Sequence, residues 1–525
     1  MNPSKEFDRK QMLDRINSRK IWDMLIIGGG ATGLGTALDA ASRGYSALLL
    51  EQHDFAKGTS SRSTKLVHGG VRYLAQGNIK LVYGALHERG VLLRNAPHVV
   101  KPLSFIIPCY SSKEKFMYMA GLKFYDLLSG SHSFGKSAFL GKEEVTHIFP
   151  NINAKGLQGG VQYFDGQFDD ARLAINIAQS AAEHDAVLLN YFKVTGIKKQ
   201  EGKITGVTAT DMLTNNSYDI QVRSVINATG IFVDDILKMD DNNKKPVVTT
   251  SQGVHIVIGK QFLRSSSALM IPKTSDGRVL FAVPWHDHLL IGTTDNLLKQ
   301  PDPLEPVALE NEIQFLLEGI SGVLLDSPAR KDVLSVFAGL RPLAASSGGY
   351  KSTKEISRDH KLIISGSGLV TITGGKWTTY RRMAEDAVNA SVAVASLAFK
   401  KSITKNIHLH GYLEKSSKSY LSVYGSDEKN IMALIHQDPS LGNTLADGHP
   451  YTKAEVILAV RKEMAITVED VLARRLRLLF LDARAAISAA PEVAELMMKE
   501  LHLKEDWKQR QLDEFNKLAA NYLIS

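Results

Sequence analysis

The sequence predicts an α/β protein in which a parallel sheet is interrupted by a mixed-sheet region and followed by an all-helical tail. Three observations carry the prediction. A strand, a glycine turn, a helix and a second strand follow one another within about 30 residues of Ile21, the pattern of a parallel β–α–β unit. Two apolar runs far downstream, Ser224–Gly230 and Gly368–Gly375, have the near-continuous hydrophobic character of strands buried on both faces. From about residue 403 glycine falls away, and Leu, Ala, Glu, Lys and Arg dominate.

Taken in order, residues 1–20 are a charged, partly helical lead-in without the apolar core of a secretory signal. Ile21–Ile27 is a short apolar run of strand formers that stops at Gly28-Gly29-Gly30. Thr36–Arg43 has helical character, and Gly44 ends it by accepting the left-handed conformation. Ala47–Glu51 is the next strand. Val254–Ile258, Val279–Val283 and Leu289–Gly292 read as strands of the inserted mixed sheet. The expected division is a discontinuous nucleotide domain over about 21–100, 150–235 and 340–400, with inserted substrate segments over about 101–149 and 236–339 and a helical domain over 401–525. In that last domain Lys453–Lys462, Val468–Ile487 and Pro491–Leu501 read as helices, with Thr467 as the N-cap of the second.

Composition sets outer bounds. A chain of 525 residues holds roughly three or four domains or subdomains. Hydrophobic residues at 44% and charged residues at 22% exclude global disorder. The single cysteine, Cys109, excludes a disulfide framework and any multi-cysteine metal or iron–sulfur site. No stretch reaches the ~20 apolar residues needed to span a bilayer, so a soluble protein or one lying on a membrane surface is expected. The net charge of +8 is unevenly placed: Lys57–Lys123 holds eleven Lys and Arg against Glu88 and Glu114. Such a region suits an anionic partner, and equally a solvated basic face.

Gly28-Gly29-Gly30-Ala31-Thr32-Gly33 supplies G-x-G-x-x-G between a strand and a helix. In that pattern Gly28 allows the tight turn, Gly30 lets the backbone approach a pyrophosphate, and Gly33 lets helix and strand pack closely. The helix N-terminus offers free N–H groups to the phosphates. Glu51, eighteen residues beyond Gly33, is placed to accept a ribose hydroxyl. The motif alone does not separate FAD from NAD.

A longer set of motifs does. Gly58-Thr59-Ser60-Ser61-Arg62-Ser63-Thr64-Lys65-Leu66-Val67-His68-Gly69-Gly70-Val71-Arg72-Tyr73-Leu74 resembles FAD-dependent glycerol-3-phosphate dehydrogenases, membrane-associated enzymes that pass electrons to quinone. The resemblance continues, in the family's order, through Phe168–Leu173, Asn227–Gly230, Gly253–Val257, Gly292–Asp295, Gly339–Pro342, Ile356–Asp359 and Gly374–Arg381, and covers most of residues 20–390. It implies an FAD-binding Rossmann-like domain of the glutathione-reductase/D-amino-acid-oxidase type, with FAD as cofactor. It implies oxidation of sn-glycerol 3-phosphate to dihydroxyacetone phosphate. It also implies a quinone acceptor, peripheral contact with the inner, cytoplasmic face of the cell membrane, and room for a homodimer. No metal and no nucleic acid is expected, and the sequence carries no EF-hand loop.

The chemistry needs a phosphate clamp, a base and a hydride acceptor. Arg is the natural clamp because its guanidinium fork meets two oxygens at once. The resemblance points to Arg72, Arg341 and Arg358, with Tyr73 adding a hydroxyl. A lone histidine in an apolar strand is ordinarily a satisfied core residue, but the resemblance places His255 facing the flavin as the base. Lys376, after two glycines and before a helix, is expected to stabilise the reduced flavin. Thr59, Ser60, Ser61, Lys65, His68, Gly69, Gly70, Ala228, Thr229, Gly230, Gly375 and Thr378 are expected around the cofactor. Asp169 and Asp170 are read as helix-capping or domain-contact residues, not as a metal pair. Gln252 stands where several bacterial relatives carry Lys, which removes a charge from the expected anion site. The basic, aromatic segment Phe116–Leu128 is read either as a helix in a lipid headgroup layer or as one packed on the substrate domain. Three other readings compete: an oxidase handing electrons to oxygen, an amino- or 2-hydroxy-acid oxidoreductase of the same fold, and a non-catalytic binding protein carrying FAD.

Overall fold

A computed structural model describes residues 7–16, 19–74, 76–274, 277–298, 302–344, 359–415 and 419–524. Two sheets and a helical region make up these residues. In the first sheet, strand Trp22–Ile27 pairs in parallel with Ala47–Leu50 on one side and Ser217–Asn227 on the other. Val187–Leu189 and Val370–Gly374 extend it, also in parallel. The two downstream apolar runs therefore do return to the first sheet. Their residues are buried because helices Ala31–Ser42, Asp170–Glu183 and Tyr380–Val394 pack on the sheet.

The β–α–β unit is closed by contact too tight for any side chain. A Cβ on Gly33 would lie 1.8 Å from the Gly28 carbonyl oxygen. Gly28 itself has φ +109°, a conformation L side chains rarely adopt. Helix Ala31–Ser42 thus sits directly on the end of its strand.

The second sheet has ten strands and is mixed. Val248–Gly259 pairs antiparallel with His288–Gly292 and along its whole length with Val333–Ala344. Ala268–Ile271 runs parallel to Val100–Cys109 and ties the inserted strands to earlier ones. Gly159–Phe168 falls in a stretch expected for the nucleotide domain. It instead joins this second sheet, pairing over ten residues with Val100–Cys109, while Val333–Ala344 runs across the boundary expected at 340.

The C-terminal region departs from the sequence reading in one place. Lys453–Glu463 is helical as expected, but Val468–Ile487 is not one helix. A wide turn over Asp470–Arg475 ends at Arg477, which has φ +69°, and Asp482 starts a new helix by accepting from the Ala485 N–H. That new helix, Ala483–Glu500, absorbs the segment expected to begin at Pro491. Thr467 does cap this stretch, its hydroxyl accepting from the Asp470 N–H at 3.2 Å.

The break brings Arg474, Arg475 and Arg477 to one buried surface. Asp54, fully buried, accepts from Arg474 Nε at 2.5 Å and from Arg475 Nη1 and Nη2 at 2.6 and 2.9 Å. Arg172 pairs with Glu463, and Lys57 with Glu305 and Glu469. The helical region is thereby docked onto the first sheet by charges that are buried at Asp54, Arg172, Glu463, Arg474 and Arg475. Asp54→Asn leaves two buried guanidiniums short of a counter-charge and is expected to cost about 3–5 kcal/mol of stability. Denaturant unfolding checks this, and a loss under 1 kcal/mol would contradict the docking account.

Candidate active site

A cavity of about 540 Å³ opens at the carboxyl end of the first sheet, where ligands of open α/β sheets bind. Gly28, Gly30, Thr32, Glu51, Thr59 and Ser60 line one side. Ala228, Thr229, Gly230, Gly375 and Lys376 line the other. A Cβ on Gly30 would come within 3.0 Å of the Ser60 hydroxyl, which accepts from the Ala31 N–H at 2.9 Å. The Glu51 carboxylate is held by the N–H groups of Gly29 (2.6 Å) and His53 (2.8 Å), and burial pushes its pKa up. A bare backbone turn, an open helix N-terminus and a fixed carboxylate are the donors and acceptor that a dinucleotide requires, so these residues fit FAD.

The other residues expected around the cofactor fall behind this wall. Gly33 serves the packing of strand and helix. Ser61 gives its carbonyl oxygen to Lys65 Nζ and to Arg477 Nη2, both at 2.8 Å. Lys65 is fully buried and salt-bridged to Asp170 at 2.7 Å, so its charge is spent inside the protein and not on a ligand in the cavity. The His68 N–H donates to the Thr378 hydroxyl at 3.1 Å, and the Gly69 N–H to Tyr125 Oη at 2.9 Å. Gly70 has φ +84° and lies against Tyr73 and Lys376 Nζ. These contacts seat the His68-Gly69-Gly70 turn against the start of helix Tyr380–Val394.

His255 and Arg341 come from paired antiparallel strands. Alternation along Val248–Gly259 puts Ser251, Gly253 and His255 on one face, with Arg341 opposite Ser251 and Phe337 opposite His255. The His255 ring stacks on Phe337, with centroids 4.9 Å apart and planes 15° apart, and is 2% exposed. Its Nε2 meets the Thr64 hydroxyl at 2.9 Å. Desolvation first, then the charges of Lys65 and Arg341, hold its pKa well below 6.5, so the ring is neutral at pH 7. Gly253 leaves room for the Arg341 guanidinium, since a Cβ there would meet Nη2 at 2.2 Å. Arg341 keeps 28% of its side chain exposed while Nη2 donates to Thr293 Oγ1 and the Thr294 carbonyl, each at 3.2 Å. Lys376 Nζ lies 4.1 Å above the Tyr73 ring.

Gln252 points the other way. Its Nε2 donates to Glu312 Oε2 at 2.7 Å beneath helix Glu310–Ser321, on the face opposite Arg341, so the missing lysine charge is not missing from the Arg341 side. Asp169 caps helix Asp170–Glu183 by accepting from the Arg172 N–H, and Asp170 makes the domain contact. Arg72 lies on the short helix Val71–Leu74, and Arg358 lies outside the described residues. Trp377, which lines the cavity and whose Nε1 donates to the Ser60 carbonyl at 2.8 Å, is not among the residues expected from sequence. Neither was Asp295, which pairs with Arg341 and with Ser251. Both stand inside motifs quoted for the resemblance, Gly374–Arg381 and Gly292–Asp295, and that was the signal that could have found them.

Comparisons with known proteins identify the family. The family described as "FAD dependent oxidoreductase" matches residues 23–381, and that described as "C-terminal domain of alpha-glycerophosphate oxidase" matches residues 360–509. The mitochondrial glycerol-3-phosphate dehydrogenase of Rattus norvegicus is 39% identical, over 96% of this chain and 74% of its own. That of Arabidopsis thaliana is 39% identical, over 94% and 85%. The structure of glycerol-3-phosphate dehydrogenase from Bacillus halodurans complexed with FAD superposes with a TM-score of 0.80 at 29% identity, covering 99% of this chain and 98% of that one. The chain belongs to the FAD-dependent glycerol-3-phosphate dehydrogenases.

Proposed function

We propose that the chain oxidises sn-glycerol 3-phosphate at carbon 2 to dihydroxyacetone phosphate and passes the electrons to a membrane quinone. The observation that carries the reaction is a buried, neutral His255 beside a half-buried Arg341. An anion clamp next to a base suits a substrate that is both a phosphate and an alcohol. Arg341 binds the phosphate, with Arg72, Arg358 and the Tyr73 hydroxyl completing the clamp. His255 takes the hydroxyl proton, and its depressed pKa keeps the lone pair available near neutrality. FAD, when bound, supplies the hydride acceptor. Gly28, Gly30 and Thr32 receive its pyrophosphate, Glu51 its ribose, and Thr59, Ser60, Ala228–Gly230 and Gly375 the remainder. Lys376 holds positive charge beside the cavity. A "dehydrogenase" outcome and an oxidase outcome differ only in the acceptor, so turnover with a quinone analogue against turnover with oxygen separates them.

The membrane reading rests on helix Ser112–Ser129. Phe116 is 78% and Leu127 74% exposed, and Met117 and Phe124 are exposed too, all within about 100° of one helix face. Ile79 and Tyr83 on helix Ile79–Asn95 are exposed as well, as are Lys80, Lys113 and Lys123. The opposite side of the same helix buries Leu122 and Tyr125, so the segment both packs on the substrate domain and offers an apolar face outward. No helix among the described residues is long and apolar enough to cross a membrane.

Three outcomes follow from these assignments. Arg341→Met is expected to lower kcat/KM for glycerol 3-phosphate by about 10²–10³, the loss of a charge-assisted phosphate contact, with bound flavin retained. An unchanged KM would remove Arg341 from the clamp. With a depressed His255 pKa, kcat/KM stays flat from pH 8 down to about 6.5 and falls only below it. A fall that begins above pH 6.5 contradicts a neutral His255 base. Phe116→Glu with Phe124→Glu is expected to abolish co-sedimentation with anionic liposomes, whereas full binding by the folded variant would take this helix out of the account.

A further inference from the structure

His255 is held by a residue that does not line the cavity described above. Thr64 Oγ1 is 2.9 Å from His255 Nε2, and His255 Nδ1 is buried with no hydrogen-bond partner among the described residues. A buried N–H without a partner is rarer and costlier than a bare lone pair. The proton is therefore assigned to Nε2, which donates to Thr64, and the lone pair to Nδ1.

Thr64 lies in a turn that does not stand by local preference. Lys65 has φ +62°, a left-handed conformation unfavourable to a lysine. Asp170 holds it there. One carboxylate oxygen accepts from the Ser63 N–H (3.0 Å), the Ser63 hydroxyl (2.6 Å) and Lys65 Nζ (2.7 Å). The other accepts from Arg477 Nη2 at 3.0 Å, and the same Nη2 reaches the Ser61 carbonyl at 2.8 Å. The Lys65 ammonium also sits over the rings of Trp285, Phe337 and Phe480 at 5.1–5.4 Å, and Phe337 is the ring on which His255 stacks. Four separate parts of the chain, at Asp170, Trp285, Phe337 and Arg477–Phe480, thus converge on this one turn, and Arg477 belongs to the C-terminal helical region.

We propose that Thr64 is a positioning residue for His255, fixing its orientation and tautomer, and that Lys65, Asp170 and Arg477 hold Thr64 in place. The C-terminal region then acts on the reaction without touching substrate. This rests on the reading of His255 as the base.

The test uses full-length, flavin-loaded protein labelled with ¹⁵N-histidine. The His255 ring signals, assigned with His255→Asn, report the tautomer without turnover. Wild type is expected to carry the proton on Nε2, and Thr64→Val to show a mixture or the other tautomer. In turnover, Thr64→Val is expected to lower kcat about tenfold with KM for glycerol 3-phosphate unchanged, and Thr64→Ser to recover most of the loss. Arg477→Gln, if it folds, is expected to shift the His255 signals in the same direction. A wild-type proton on Nδ1, or a Thr64→Val enzyme with wild-type kcat, overturns the proposal. A wild-type Nε2–H signal in a protein that does not oxidise glycerol 3-phosphate would instead overturn the proposed function and leave the positioning of His255 standing.

Discussion

Two aspartates, Asp54 and Asp170, tie the C-terminal helices to the segment that lines the cavity. Each is fully buried, and each is met by arginines from the stretch Arg474–Arg477. Buried ion pairs of this kind contribute little net stability over a well-packed apolar contact, because desolvation offsets most of the attraction. Their consequence is geometric. Once the charges are removed from water, the only tolerable arrangement is the one that pairs all of them. Residues 54–65 are therefore fixed from behind, while their other side supplies Thr59 and Ser60 to the cavity.

The front of the site is fixed by close backbone approach. Gly28 and Gly33 let a helix start directly on a strand end, and Gly253 lets the Arg341 guanidinium lie across a neighbouring strand beside His255. The first sheet thus positions the residues that line the cavity, and the second positions Arg341 and His255, the proposed clamp and base. The Ser60–Lys65 segment runs between them, with Ser60 on the cavity and Thr64 on His255.

Much of this was legible from local pattern. The β–α–β unit and the two returning strands have periodicities that only a covered parallel sheet explains. Three features were not legible, for physical reasons. Lys65 sits among serines and threonines typical of a cofactor loop, and nothing nearby in sequence discloses that its partner, Asp170, lies over a hundred residues away. Val468–Ile487 has the composition of one continuous helix, but Arg477 turns left-handed to reach Asp170 and Ser61, a tertiary demand that overrides propensity. Gly159–Phe168 falls within the stretch expected for the nucleotide domain, yet which sheet it joins is decided by its ten-residue ladder with Val100–Cys109. Gln252 shows the same limit at the site: its neighbour in sequence faces Arg341, while its own amide faces Glu312.

The central claim is that this cavity oxidises a phosphorylated alcohol. Anaerobic addition of glycerol 3-phosphate to the flavin-loaded protein, followed by the visible flavin absorbance, tests it most directly, with glycerol and lactate as controls. Bleaching by glycerol 3-phosphate alone is the result predicted. Folded, flavin-loaded protein that stays yellow with glycerol 3-phosphate, or bleaches equally with glycerol or lactate, would contradict the account.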